Sequence, residues 1–323
     1  MPIHPAVADK FHLIEGASSF EQLLFDPAFR ERFAEFTAPS VGGPPPVVPV
    51  RDDTATGPHG PIPVRIHTPE DTGDDRPCVV WLHGGAFRMG DLDMPEADRV
   101  SRELVTRAGA VVVGVDYRLA VGGVSYPVPH DDVVAAVRWV RAHAADLGVA
   151  EDRISLGGAS AGGNLAAGAA LRLRDDDGWS PANLVLAYPV LHAELPPPPP
   201  SSTARMAEVP TILHFPPHEV RAIAENYLGG PVSRADGYAM PGLAALEGLC
   251  PTLLLTAEYD DLRGSGEVFV GQLAQAGVDV RYVQVRSMLH GFLGLPSAIE
   301  PVGAALDLIA ETVTARRTAF VPA

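Results

Sequence analysis

The stretch Arg153-Ile154-Ser155-Leu156-Gly157-Gly158-Ala159-Ser160-Ala161-Gly162-Gly163-Asn164-Leu165 contains the pattern G-x-S-x-G at residues 158–162. The apolar run at residues 154–156 predicts a buried strand, and the small residues at 164–173 predict a helix. A tight turn between strand and helix places Ser160 at the positive end of the helix dipole, where negative charge is stabilised. The pattern therefore predicts a nucleophilic serine. Taken alone, it is also compatible with an ordinary glycine-rich turn.

Length and composition favour a soluble protein with a large core. The 323 residues suffice for one large α/β domain or two small ones, and 46% of them are hydrophobic. No apolar run reaches the roughly 18 residues of a membrane helix, and residues 1–20 lack a signal-peptide core. We therefore expect a cytoplasmic protein without stable membrane insertion. The formal net charge of -16 argues against a nucleic-acid partner.

The two cysteines, Cys78 and Cys250, do not suggest a disulfide framework. Each adjoins a predicted apolar strand, so we expect both to be small buried residues.

Strands and helices alternate along most of the chain. Residues 47–51 and 64–67 flank Gly57-Pro58-His59-Gly60 and predict a β-hairpin. Apolar runs predict further strands at residues 78–82, 111–115, 154–156, 184–190, 253–256 and 280–285. Helices are predicted at residues 93–108, 133–142, 164–173, 268–276 and 302–313. This alternation indicates an α/β fold with a mostly parallel sheet, to which the hairpin adds an antiparallel edge.

The first 45 residues lie outside this alternation. Their apolar side chains fall near helical spacing at positions 20, 23, 24, 25, 29, 33 and 36. We expect these side chains to pack on the body of the protein, with an active-site lid as the alternative interpretation. A glycine and proline cluster at residues 42–46 ends the segment.

A second segment interrupts the alternation at residues 192–237. Its proline run at 196–200 is extended and poor at joining a sheet. We expect a cap over the carboxyl ends of the strands, where α/β proteins bind ligands, rather than a surface insertion without function. The chain is thus divided into an N-terminal cap segment at 1–45 and a catalytic domain at 46–323 that carries the cap insertion.

A pair of glycines follows the predicted strand at 78–82, in His83-Gly84-Gly85-Ala86-Phe87. Backbone N–H groups at such a strand end can face an open space and receive a developing negative charge, as in an oxyanion hole. A simple strand-end turn is the alternative. We expect His83 to hold this loop rather than to transfer protons.

Three motifs together resemble the hormone-sensitive-lipase-like branch of the α/β-hydrolases, of the bacterial carboxylesterase type. They are His83 to Phe87, Asp116-Tyr117-Arg118-Leu119-Ala120 and residues 158–163. The resemblance covers roughly residues 60–315. It implies an α/β-hydrolase fold with an eight-stranded sheet flanked by helices and a helical cap. It also implies an oxyanion hole made by the amides of Gly84, Gly85, Ala86 and Ala161.

The resemblance implies a catalytic triad in the chain order serine, acid, histidine. Asp260 follows a predicted strand at the position of the family's D-P-L-R aspartate, and Asp261 and Glu258 lie close to it. His290, which follows the last predicted strand, matches the catalytic histidine. Comparable placement is lacking for His130, His192, His214 and His218. This chemistry requires no metal and no organic cofactor.

The chain departs from the family pattern at several positions. Ala86 replaces the third glycine of H-G-G-G, Ala159 replaces the acidic residue of G-D-S-A-G-G, and Asp261 replaces a proline. We expect these changes to affect substrate preference and rate more than reaction type. Asp132 matches a family position that we expect to be structural.

These features predict a serine hydrolase that cleaves carboxylic esters of small to medium acyl chains through an acyl-enzyme. An amidase or formamidase is one alternative, because amides pass through the same tetrahedral intermediate. A non-catalytic receptor, similar to the plant gibberellin receptors, is another, and the complete triad argues against it. The expected partner is a small-molecule ester. The family often dimerises through its last strand, so a homodimer through residues 280–285 is a further hypothesis.

Overall fold

A computed structural model describes residues 1–17, 22–23, 26–38, 41–71, 73–197 and 200–315. The expectations for Phe20, Leu24, Phe25, Pro198 and Pro199 lie outside the described residues.

The strands form a single mixed sheet in the described part of the chain. They are β1 (Val50–Gly57), β2 (Gly60–His67), β3 (Arg76–Leu82), β4 (Val111–Val115), β5 (Val149–Ala159), β6 (Leu184–Ala187), β7 (Thr252–Tyr259) and β8 (Val280–Leu289). These eight strands lie in the order β1-β2-β4-β3-β5-β6-β7-β8. Strand β2 pairs antiparallel with β1 and β4, and all other pairs are parallel. The predicted mostly parallel sheet with an antiparallel edge is confirmed.

Helices connect the strands, and further helices lie in the two segments that are predicted to form a cap. They are α1 (Pro5–Ala8), α2 (Pro27–Thr37), α3 (Pro95–Ala108), α4 (Val128–Ala142), α5 (Ala161–Asp177), α6 (Pro200–Met206), α7 (Pro217–Leu228), α8 (Arg263–Gln275) and α9 (Glu300–Thr314). In the part of the chain that the structure describes, no helix is long and apolar enough to cross a membrane.

The core has two layers, one on each face of the sheet. Val80 and Leu82 of β3 pack in the cluster that includes α4, α5 and α8. Their neighbours Val79 and Trp81 pack in the opposite cluster with α3 and α9. Alternate residues of a strand face opposite sides, so a strand covered on both sides must be apolar throughout. This explains the continuous apolar runs of the sequence. Cys78 is one of these buried residues, and both cysteines are buried, as expected.

Several element boundaries differ from the prediction. Strand β5 is longer than the predicted 154–156. The prediction was too short because the first half of the strand carries exposed charged residues and lacks an apolar pattern. Strand β6 ends at Ala187, since Tyr188 has a positive φ of 38° and leaves the extended conformation. Strand β8 continues to Leu289, which puts the end of the strand directly before His290.

The aromatic side chains of α2 do not enter the core. No residue of α2 is buried, and Phe29, Phe33 and Phe36 are only half-buried. The rings of Phe33 and Phe36 stack on each other, with centroids 6.1 Å apart. These side chains are partly covered without entering the core, and the expectation that they pack on the body stays a prediction. Leu23, by contrast, is fully buried.

The two predicted cap segments meet at a small apolar cluster. Ile3 and Val7 at the start of the chain pack with Met206 and Val209 of the insertion. Tyr259 and Leu289, at the carboxyl ends of β7 and β8, complete the cluster. Both segments therefore contact the edge of the sheet where these strands end. The division of the chain at residue 45 stays a prediction.

Candidate active site

Ser160 lies in a strained turn between β5 and α5, with φ 55° and ψ -116°. Its two flanking glycines are required by close packing. A Cβ on Gly158 would lie 2.5 Å from backbone atoms of Gly162, and a Cβ on Gly162 would lie 2.1 Å from the carbonyl oxygen of Leu82. The two glycines of the G-x-S-x-G pattern are therefore needed because the turn packs tightly against the end of β3.

The three residues of the predicted triad come together at the carboxyl ends of the strands. His290 Nε2 lies 3.0 Å from Ser160 Oγ, and His290 Nδ1 lies 2.8 Å from Asp260 Oδ2. The other oxygen of Asp260 accepts a hydrogen bond from the Leu262 N–H at 2.9 Å. A carboxylate only accepts, so Nδ1 carries the proton and Nε2 is left to accept from the serine hydroxyl.

The two neighbouring acids have other partners. Glu258 Oε2 accepts from the Ser287 N–H at 2.8 Å, and its other oxygen pairs with Arg205. Asp261 Oδ2 accepts from the Phe215 N–H at 2.8 Å and lies 3.2 Å from His214 Nδ1. Of the three acids, Asp260 is therefore the one placed to orient His290.

The loop after β3 supplies two unpaired amides near the serine. The Gly84 N–H is not one of them, because it donates to Glu96 Oε2 at 3.0 Å. This corrects the prediction that the Gly84 amide belongs to the oxyanion hole. Among the described residues, no partner accepts from the N–H groups of Gly85, Ala86 and Ala161. These three amides are the available donors.

The carbonyl groups of the same peptide units orient the two loop amides. The Gly84 carbonyl accepts from His83 Nδ1 at 2.6 Å, and the Gly85 carbonyl accepts from the N–H groups of residues 88 and 89 at 3.0 Å. In a trans peptide the C=O and the following N–H point in opposite directions. Fixing these carbonyls therefore aims the Gly85 and Ala86 amides. His83 holds the loop, as predicted.

Backbone conformation in this loop explains one family departure. Gly85 has φ 119°, and a Cβ there would lie 2.0 Å from the carbonyl oxygen of Met89. Ala86 has φ 52°, which places a non-glycine residue in the left-handed region. The alanine thus keeps the glycine-like conformation and the N–H at a cost in backbone strain.

Two aromatic residues that were not predicted from the sequence contact His290 in the site. Tyr188 and Phe215 approach the His290 ring edge-on, with centroid distances of 4.9 and 4.8 Å. Tyr188 falls within the predicted strand at 184–190, and Phe215 lies in the proline-rich insertion. Neither position carries a local pattern that points to the site. Phe215 shows that the insertion reaches the triad.

Glu96 is a further residue that the sequence prediction missed. It is 5% exposed, and its Oε1 accepts from Trp81 Nε1 at 2.6 Å. Burial raises the pKa of this carboxyl to about 7, although its two hydrogen bonds favour the charged form. An acid in the first turn of a helix is ordinarily a solvated dipole partner, so sequence alone gave no reason to single it out.

Asp132 has the structural role that was expected. Its buried carboxylate accepts from the Arg118 N–H at 3.0 Å and from Arg118 Nη1 at 2.6 Å. It thereby connects the start of α4 to the Asp-Tyr-Arg segment after β4.

A cavity of about 290 Å³ borders the acid side of the triad. Its wall is formed by Ser202, Thr203, Met206, Ala207, His214 and Asp261. Most of this wall belongs to the cap insertion. Within the described residues, no group of three or more His, Cys, Asp or Glu side chains is arranged to hold a metal ion.

The sheet order and the serine turn, with His290 and Asp260 beside it, define the α/β-hydrolase class. A family model described as an alpha/beta hydrolase fold matches residues 79–294. The carboxylesterase NlhH of Mycobacterium tuberculosis is 37% identical over 257 residues, which are 76% of each chain. The chain belongs to this family, in its hormone-sensitive-lipase-like branch.

Solved structures agree over nearly the whole chain. An esterase from the archaeon Pyrobaculum calidifontis has a TM-score of 0.82 and 31% identity, covering 97% of this chain and 98% of that chain. A thermostable esterase from Pseudomonas putida has a TM-score of 0.83 and 27% identity, covering 98% of both.

Proposed function

We propose that this protein is a carboxylesterase that hydrolyses esters of small to medium acyl chains. The observation that carries the proposal is the continuous contact from Asp260 through His290 to Ser160 Oγ, with distances of 2.8 and 3.0 Å. The names of the Mycobacterium tuberculosis relative, a carboxylesterase, and of the Pyrobaculum calidifontis structure, an esterase, support an ester as the substrate.

In the first half of the reaction, Ser160 Oγ attacks the ester carbonyl carbon while His290 Nε2 takes the hydroxyl proton. The carbonyl oxygen becomes an oxyanion, which the amides of Gly85, Ala86 and Ala161 stabilise. Asp260 stabilises the imidazolium that forms. The tetrahedral intermediate then collapses, the C–O bond to the alcohol breaks, and His290 returns the proton to the leaving alcohol.

In the second half, water hydrolyses the acyl-enzyme. His290 removes a proton from the water, the hydroxide attacks the acyl carbon, and the same amides hold the second oxyanion. Collapse of this intermediate releases the carboxylic acid and returns the proton to Ser160.

The cap supports a preference for short and medium substrates. The cavity next to Asp261 holds about 290 Å³, just below the 300–1,000 Å³ that small-molecule sites usually offer, and we propose that it takes the acyl chain. The rings of Phe215 and Tyr188 contact His290 and so occupy part of its surroundings. We therefore expect turnover to decline once the acyl chain outgrows this space.

The test is hydrolysis of p-nitrophenyl esters from acetate to long acyl chains, with Ser160→Ala as the control and a matched p-nitroanilide as competitor. Turnover of short esters that disappears in Ser160→Ala supports the proposal. Comparable turnover of the anilide would instead favour an amidase. A folded protein that cleaves no ester and is not labelled by a fluorophosphonate at Ser160 would contradict the hydrolase function.

We further propose a homodimer that forms through β8. This strand is the last in the sheet order, and an edge strand offers unpaired backbone groups to a second copy. Light scattering after gel filtration tests this proposal against the chain mass of 34.0 kDa. A mass equal to that of one chain at every concentration would contradict it. The cytoplasmic location stays a prediction, which cell fractionation would test.

A further inference from the structure

Glu96 lies in the first turn of α3 with both carboxylate oxygens engaged by N–H donors. Trp81 Nε1 donates to Oε1 at 2.6 Å, and the Gly84 N–H donates to Oε2 at 3.0 Å. The side chain is almost completely buried. A buried carboxylate is costly unless it is fully hydrogen-bonded, so its placement needs a reason beyond solubility.

The Gly84 N–H belongs to a peptide unit that is held at both ends. At its other end, the His83 carbonyl accepts a hydrogen bond from the Tyr117 hydroxyl at 2.8 Å. The plane of this peptide is therefore fixed by Glu96 on one side and by Tyr117 on the other. The next two peptide units along the chain carry the N–H groups of Gly85 and Ala86. The fixed plane therefore anchors the start of the segment whose carbonyl hydrogen bonds aim these two amides.

Glu96 is also close to the other parts of the site. A Cβ on Gly84 would lie 3.5 Å from Ser160 Cβ and 3.8 Å from Glu96 Oε2. A Cβ on Gly294, four residues after His290, would lie 3.7 Å from the Glu96 backbone nitrogen. The start of α3 therefore sits between the amide loop, the serine turn and the segment that follows the histidine.

We propose that Glu96 is a positioning residue for the oxyanion hole, acting through the Gly84 amide on the orientation of the Gly85 and Ala86 amides. The inference rests on the proposed ester hydrolase function. Glu96 does not touch the substrate. It contributes by holding the donors where the oxyanion forms. A displaced donor stabilises the transition state less, while the contacts that bind the substrate in the ground state remain.

Glutamine is the sharpest substitution, since it has nearly the same shape. Both partners of Glu96 are donors, and a side-chain amide offers one accepting oxygen and one donating NH₂ group. In Glu96→Gln, one of the two N–H groups must face another donor. The carboxylate of Glu103, on the same helix, provides a matched control. It is 4% exposed and pairs with Arg107 Nε at 2.8 Å, away from the loop.

The experiment compares wild type, Glu96→Gln and Glu103→Gln with p-nitrophenyl butyrate and with a trifluoromethyl ketone. This ketone forms a hemiketal oxyanion with the serine and so reports on the oxyanion hole directly. We expect Glu96→Gln to lower kcat by at least about tenfold with KM changed by less than about threefold. The inhibition constant of the ketone should rise by a similar factor, and Glu103→Gln should leave both quantities near wild type.

Unchanged kcat and ketone affinity in a folded Glu96→Gln protein would overturn the inference, and so would an equal loss in Glu103→Gln. If Glu96→Gln does not fold, Tyr117→Phe releases the other end of the same peptide plane and should show the same separation of kcat from KM. Unchanged kinetics in that variant would also overturn the inference. Absence of ester turnover in wild type would instead contradict the proposed function on which it rests.

Discussion

Asp260, Asp261 and Glu258 have similar chemistry and lie within four positions of one another. What separates them is the direction of each side chain after the end of β7. Asp260 faces His290, Asp261 faces the Phe215 amide, and Glu258 faces the Ser287 amide. The resemblance to the family's D-P-L-R segment favoured Asp260, and the fold shows which carboxylate makes the contact.

We expect Asp260→Asn to lower kcat by roughly 10³- to 10⁴-fold, because the Leu262 N–H keeps the amide oxygen, so that the NH₂ group faces His290 and favours the wrong tautomer. The measurement is the initial rate of p-nitrophenyl butyrate hydrolysis. Asp261→Asn is the matched control, since asparagine can still accept from the Phe215 amide, and its kcat should stay within about threefold of wild type. A larger loss in Asp261→Asn than in Asp260→Asn would contradict this assignment.

Site residues that stand in a recognisable local sequence pattern could be predicted from the sequence, and those outside such a pattern could not. Ser160 stands in a recognisable turn pattern, and His290 follows the last strand. Glu96, Tyr188 and Phe215 are ordinary side chains in their local context. Their roles arise from contacts with residues far away in the chain, which no local pattern records.

The turn that carries Ser160 also depends on contacts between elements that are far apart in the chain. Gly162 lies in the first turn of α5, yet the atoms that exclude a side chain there belong to Leu82, the last residue of β3, and to His83. The glycine is required by packing between two elements as well as by the turn itself.

We expect Gly162→Ala to lower the free energy of unfolding by on the order of 2–3 kcal/mol, because its Cβ would overlap the Leu82 carbonyl. Any folded protein should also lose about 100-fold in kcat, since the backbone shift displaces Ser160.

Gly271→Ala in α8 is the control. A Cβ there meets nothing within 4 Å. It should raise the free energy of unfolding by up to about 1 kcal/mol. Denaturant unfolding of both variants checks these signs, and equal stability of the two would contradict the packing explanation.

At the scale of the whole molecule, Glu96 makes stability depend on pH. Burial raises its pKa to about 7, above the value near 4.3 of a free glutamate. The folded state therefore binds more protons than the unfolded state between these values. This contribution is fully present below about pH 4 and is lost as the pH rises through about 7.

His130 acts in the opposite direction over part of this range. Its burial lowers the imidazole pKa to about 4, so its contribution to stability falls as the solution is acidified below about pH 6.5. A single stability curve mixes the two effects. The difference between wild type and Glu96→Gln removes the contribution of His130.

We expect the stability of wild type relative to Glu96→Gln to fall by on the order of 3 kcal/mol between pH 4.5 and pH 8. Denaturant unfolding at several pH values measures this difference, with Glu103→Gln as the reference for loss of a buried carboxylate. A difference that is constant with pH would show that Glu96 does not titrate in this range.

The sequence by itself determined the α/β class, the sheet with its antiparallel edge, and the identity of Ser160, Asp260 and His290 as the candidate triad. The fold class follows from local patterns such as apolar runs and glycine spacing. The triad follows from motifs that match the family in their chain order. Only the tertiary structure decided that the Gly84 amide turns to Glu96 and that Phe215 of the insertion reaches His290. It also decided that the aromatic side chains of α2 stay outside the core. The physical reason is that such contacts depend on the directions of side chains brought together by packing, which are set only when the whole chain has folded.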